Sequence, residues 1–264
     1  MAHRLALAGS FAGTAQPAVR NIGFDDIKDA IALGFADFKR TPTHLMFLFL
    51  IYPIVTVVFA RVAAGYDMLP VVFPLLAGYT LIGPLVATGT YELSRRHELG
   101  LDSSRRHMLD VLVSPHVRAI AGLGLILMVI YFAWLGAALT IYDEIFGGVD
   151  PASIPDYIRQ VTTTPAGIEL MIVGTGAGAV FAAVVFSLSV VSFPMLLDRD
   201  VSILTAVTTS IRVVLVNPVM MTIWAFVVAG SLLLGALPLF VGLAIVLPVL
   251  GHATWHLYRK VVER

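Results

Sequence analysis

The placement of charge constrains this chain more than any other feature. No Asp, Glu, Lys or Arg lies between Arg40 and Arg61, Asp67 and Glu92, Arg118 and Asp143, or Glu169 and Asp198. Each gap matches one bilayer crossing, for which a helix needs about 20 apolar residues. A fifth gap, from Arg212 to Arg259, is too long for one crossing and divides at the turn-prone Leu234-Gly235-Ala236-Leu237-Pro238. The expectation is an all-α polytopic membrane protein of six transmembrane helices. Composition agrees: 58% of residues are hydrophobic and 13% charged, about half the charged share of a soluble domain.

An even number of spans puts both ends on one side. Of the 17 Lys and Arg, all but Arg61 and Arg159 then share that side, and the other carries Asp67, Asp143, Glu144, Asp150, Asp156 and Glu169. Basic residues in short loops stay cytoplasmic, so the chain reads as a multi-pass protein of the bacterial inner membrane with cytoplasmic termini. Residues 1–20 read as a flexible tail, followed by one transmembrane domain over 21–264. The absence of cysteine excludes disulfides, iron–sulfur ligation and covalent haem attachment.

An internal repeat organises the spans. Thr41-Pro42, Ser114-Pro115 and Asn217-Pro218 each stand at the start of one, with Thr, Ser or Asn as expected N-cap and Pro at the first helical position. Amphipathic segments precede two of them, with apolar positions Ile27, Ile31, Phe35 and Phe38 in one and Leu204, Val207, Ile211 and Val214 in the other. Such helices lie along the interface or beneath the bundle. The far ends repeat more strongly. PLLAGYTLIGPLVATGTYELSRR (74–96) aligns without gaps on PLFVGLAIVLPVLGHATWHLYRK (238–260). Three helical hairpins follow, about 24–98, 104–200 and 201–262. Pro74, Pro84, Pro238 and Pro248 are expected to bend spans two and six. Gly174, Gly178 and Ala182 form a small-residue face for close helix packing.

Motifs for chemistry are missing: there is no HExxH, no phosphate loop and no GxSxG. The spans carry no ionisable residue at mid-depth, which disfavours proton-coupled transport. His252 and His256 share a helix face at the i, i+4 spacing of metal ligands. They replace Thr88 and Glu92 of the aligned repeat, however, and Trp255, Tyr258, Arg259 and Lys260 around them have the character of an interfacial belt. The same reading covers Arg95, Arg96, Arg105 and Arg106, as contacts for lipid headgroups. No catalytic residue, cofactor or metal is expected.

DIKDAIALGFADF, FPLLAGYTLIGPLVATGTYELSRR, FPMLLDRDVSILTAVTTSIRVVLVNP and LPVLGHATWHLYR together resemble an uncharacterised family of proteobacterial six-span inner-membrane proteins. Some of its members are labelled cytochrome c oxidase subunit I-like. The resemblance spans about residues 20 to 262 and implies the architecture above but no activity. The oxidase core resembles a twelve-helix bundle with histidine ligands inside its spans, which this chain lacks.

The leading functional expectation is a non-enzymatic scaffold, accessory or assembly factor for other membrane proteins. Its partners would be membrane lipids and another inner-membrane protein or respiratory complex, with homo-oligomers allowed and no nucleic acid. The alternative is a channel or carrier for a small neutral or lipidic solute, housed between bent spans two and six. A haem- or metal-binding protein using His252 and His256 comes third.

Overall fold

The structure is a computed structural model that describes residues 17–44, 46–47, 51, 54, 57, 61, 69–79, 83–148 and 151–263. Most of the expected first span, Tyr52 included, lies outside the described residues. Residues 18–20, at the end of the expected tail, pair with the C-terminus. Val19 forms an antiparallel bridge with Val262, the Arg20 amide donates to the Val261 carbonyl (2.8 Å), and the Glu263 amide to that of Ala18 (3.0 Å).

The described architecture is helical. In chain order it comprises α1 (Phe24–Arg40), α2 (Leu69–Tyr79), α3 (Gly83–Val86), α4 (Thr88–Glu98), a 3₁₀ helix (Arg105–Val113), α5 (Val117–Phe146) and α6 (Ile154–Thr163). Then come α7 (Pro165–Ser189), α8 (Ser192–Asp198), α9 (Ile203–Val216), α10 (Pro218–Ala236) and α11 (Leu243–Val261). Three stretches are long and apolar enough to cross a membrane: Val117–Phe146, Pro165–Asp198 and Pro218–Ala236.

Local chemistry explains their limits. Gly147 ends α5 in the left-handed conformation (φ 68°), its amide returning to the Asp143 carbonyl at 2.7 Å, a common helix stop. Ser153 caps α6 through the Asp156 amide (3.2 Å), and Thr164 caps α7 through the Gly167 amide (3.0 Å) with Pro165 in the first turn. The sequence did not anticipate α6. Its short amphipathic run leaves Ile154 and Ile158 exposed beside Asp156 and Arg159.

The expected prolines divide into two groups. Pro74 sits inside α2, Pro84 inside α3 and Pro248 inside α11, whereas Pro238 lies in the turn joining α10 to α11. The expectation of a bend at Pro238 is thereby corrected: the chain reverses there, and Leu239 and Phe240 take positive φ values of 50° and 65°. At Pro74 the carbonyl accepts from Trp134 Nε1 at 2.9 Å, tying α2 to α5.

Helix packing follows the expected stripes only in part. On α1 the buried residues are Ile27, Ala30, Gly34 and Asp37, while Phe35 is exposed. On α9 they are Ala206, Thr209, Ser210 and Val213, while Leu204 is exposed. Ile27 is buried as expected and Ile31, Val207 and Val214 pack against the core, with small residues beside them where helices approach closely. A Cβ on Gly34 would stand 2.5 Å from the Ala253 nitrogen, so α1 and α11 touch backbone to backbone. The small-residue face of α7 is split. Gly178 packs on the Trp134 ring of α5, Gly174 meets nothing, and Ala182 is exposed.

Three further contacts join the ends of helical segments to the starts of others. α4 packs on the 3₁₀ helix, α8 on α9, and α11 on α1. The side chains of the expected N-caps bond elsewhere. Thr41 donates to the Ser103 carbonyl (3.2 Å) and Ser114 to that of Val111 (2.9 Å). Asn217 accepts from the Ile22 amide (2.9 Å) and donates to the Arg20 carbonyl (3.0 Å), clamping the N-terminal segment.

Candidate functional site: a polar cap and a lateral groove

α1, α4, α8 and α11 meet in a polar cap at one end of the bundle, with Asp37 at its centre. Asp37 projects from the small-residue face of α1 and is 5% exposed. Ser94 Oγ of α4 donates to its Oδ2 (2.7 Å), and His256 Nε2 of α11 bonds the same oxygen (2.8 Å). His97 Nδ1 stands 3.2 Å from Oδ1, without the alignment of a hydrogen bond. Ser94 Oγ also lies 2.7 Å from His252 Nδ1.

Proton bookkeeping orients this chain. Ser94 has one hydroxyl proton and gives it to Asp37, so its contact with His252 is filled by an Nδ1–H donor. His252 Nε2 is buried with no partner; in this tautomer it carries a lone pair, not an unmet N–H. His252 and Ser94 therefore form one arm converging on the Asp37 carboxylate, and His256 the other. Burial raises the Asp37 pKa, but the hydrogen bonds from His256 and Ser94 lead the opposing effects, and the net direction is down.

The cluster contains serine, histidine and aspartate in an order unlike that of a nucleophilic triad. There the imidazole takes the serine proton; here the serine proton goes to the carboxylate and the imidazole donates. Ser94 and His252 are also fully buried. Among the described residues no group of three His, Cys, Asp or Glu has the geometry to hold a metal ion. His252 and His256 engage Ser94 and Asp37 respectively and do not share a ligand position.

Ion pairs close the rest of the cap. Arg259 bridges Glu98 (2.9 Å) and Asp198 (2.9 Å), and Tyr258 donates to Asp198 (2.7 Å). Arg95 pairs with Glu92 (2.8 Å), Arg96 with Glu92 (3.5 Å) and Asp110 (3.3 Å), and Lys260 with Asp26 (3.2 Å) and Asp29 (3.3 Å). Arg199 donates to Tyr258 Oη and to the Glu263 carbonyl.

These placements bear on the expected headgroup contacts. Trp255 and Tyr258 are 0% exposed, with the Arg259 guanidinium over both rings. As a surface belt they are corrected: Trp255 donates to Glu98 of α4 (3.3 Å) and Tyr258 to Asp198 of α8 (2.7 Å), so both rings turn into the bundle. Arg95, Arg96, Arg259 and Lys260 point into carboxylates, and Arg106 pairs with Asp102 (2.9 Å) on the surface. Arg105 is exposed. Asp37, Ser94 and His97 were missed. The available signal was a single carboxylate on the 30, 34, 37 stripe of small residues in α1.

Above the cap a groove of about 570 Å³ opens between α7 and α10, floored by α3, α4 and α11. Gly83 and Pro84 line it from the expected second span, and Leu247 and Gly251 from the sixth.

Long apolar helices, a lateral apolar groove and a closed polar cap define a helical integral membrane protein. Residues 72–198, slightly under half of the chain, match the model of a family described as "Predicted integral membrane protein (DUF2189)". No curated protein and no solved structure matches the chain.

Proposed function

We propose that this is a non-enzymatic six-span protein of the bacterial inner membrane, both termini cytoplasmic, that scaffolds or assists other membrane proteins through its cap. The supporting observation is a partition of charge. The cap's interior cations are paired within the molecule. Lys39, Arg40, Arg105, Arg118 and Arg212 are exposed and, among the described residues, have no ion-pair partner. They stand before or at the starts of the three proposed hairpins, each set beside exposed apolar side chains: Phe35; Leu109, Leu112 and Val113; Leu204, Leu215 and Val216.

Cations beside apolar side chains suit anionic headgroups or the acidic rim of a neighbouring membrane protein. The working surface moves accordingly from the hairpin ends around Arg95 and Arg259 to the hairpin starts. A respiratory complex is one candidate partner, and a second copy of the chain another. Affinity purification in mild detergent tests the reading. A reproducible membrane partner is expected with the natural chain and is expected to be lost when Arg105, Arg118 and Arg212 are replaced by Gln. Repeated recovery of the protein alone would sink it.

A further inference from the structure

We infer that the groove between α7 and α10 is a binding site for an uncharged membrane amphiphile, a single hydrocarbon chain carrying a small hydrogen-bonding head. This goes beyond the accessory role and stands or falls separately from it.

Four observations lead there. The first is shape: α7 and α10 do not pack together, and a groove of about 570 Å³ remains between them, within the range of about 300–1,000 Å³ for small-molecule sites. The α7 wall is cut back to Ala179, Ala182 and Ala183, with Ala225 and Ala229 opposite. The second is where it opens. Ala182, Ala183 and Phe226 are exposed, flanked by exposed Val180, Val184 and Leu233. All belong to helices long and apolar enough to cross a membrane, so the mouth faces hydrocarbon and a ligand enters sideways.

The third is a gradient of polarity. At the deep end Gly83, Leu232 and Leu247 offer only carbon. Tyr91, Ser189, Thr222 and Thr254 bring hydroxyls to the end nearest the cap. Ser189 already donates to the carbonyl of Val185 in its own helix (2.6 Å), which leaves its oxygen as an acceptor, while Thr254 donates to Leu250 (2.7 Å) and bonds Tyr91. A head that donates, such as an alcohol, is matched. The fourth is charge: among the described residues no Asp, Glu, Lys, Arg or His lines the groove. A charged head there would lose its hydration without a counter-ion, so the ligand class is neutral.

Photo-labelling of the full chain in detergent micelles with a monoacylglycerol carrying a diazirine in its chain tests this. Saturable labelling of peptides covering 179–190 and 221–229 is expected. An unlabelled monoacylglycerol should suppress it, and a lysophosphatidic acid of the same chain length should compete roughly tenfold less well. Ala182→Phe and Ala229→Phe, which fill the groove from opposite walls, should each abolish it. Melting temperature identifies a variant that fails to fold, in which case the other carries the test. Labelling spread equally over Val117–Phe146, equal competition by the charged analogue, or undiminished labelling of the folded variants would each overturn the assignment.

Discussion

Asp37 joins three helices through one carboxylate, receiving Ser94 from α4 and His256 from α11 at 2.7 and 2.8 Å. Removing one partner of a buried charged set leaves the others uncompensated and costs about 3–5 kcal/mol. Asp37→Ala is therefore expected to lower the melting temperature in detergent sharply, with Asp37→Asn milder because the amide keeps hydrogen-bonding atoms. The pH dependence follows from a pKa held below its ordinary value. A depressed carboxylate contributes stability that is whole above about pH 4, its unfolded value, and is lost as pH falls through the folded value. Acid titration of melting temperature should fall more steeply for the natural chain than for Asp37→Asn; parallel curves would refute this. Glycine spacing supplies a second test at this scale. A Cβ on Gly34 meets the Ala253 backbone, whereas one on Gly136 meets nothing. Gly34→Ala should cost about 1–3 kcal/mol by overpacking, and Gly136→Ala should be neutral or slightly stabilising, as alanine is the better helix former.

At the scale of elements, the sequence was legible where apolar length alone decides the outcome. The charge-free stretches after Arg118, Glu169 and Arg212 became α5, α7 with α8, and α10. Periodicity was a partial guide on α1 and α9: Ile27 is buried and Ile31, Val207 and Val214 pack against the core as the stripes expect, while Phe35 and Leu204 turn out. Ala30, Gly34, Ala206 and Ser210, which apolar periodicity does not mark, are buried because small side chains let helices approach closely. Composition misplaced α11. Its WHLYRK run has the composition of a lipid-interface anchor, but Trp255 and Tyr258 are buried, bonded to Glu98 of α4 and Asp198 of α8. The aligned Tyr91 and Leu93 of α4 are buried as well, so the repeated motif describes a core contact and not an anchor. Trp255→Ala should accordingly cost about 3–5 kcal/mol, the range for emptying a buried aromatic site. A loss of well under 1 kcal/mol by thermal denaturation would restore the anchor reading.

For the whole molecule, the junctions of α4 with the 3₁₀ helix, α8 with α9 and α11 with α1 link each proposed hairpin to the start of another, the last returning to the first. The antiparallel pairing of Val19 with Val262 holds the two chain ends together, so they share a side of any membrane the helices cross. That junction was hidden in the sequence, because nothing in the residues around Val19 marks a partner more than 240 positions away. What the sequence does mark is the polarity of the two faces: cations gather with the chain ends, and α6 on the opposite face carries Arg159 alone. On the proposed reading, the positive-inside bias places the cap in the cytoplasm. Because the chain has no cysteine, single introduced thiols report sidedness without background. Ala152, just before α6, and Asp200, beside the cap, are both exposed. In intact spheroplasts a membrane-impermeant maleimide should label Ala152→Cys at once and Asp200→Cys only after permeabilisation. The reverse order would invert the topology, and immediate labelling of both would break the assignment of cap and α6 to opposite faces.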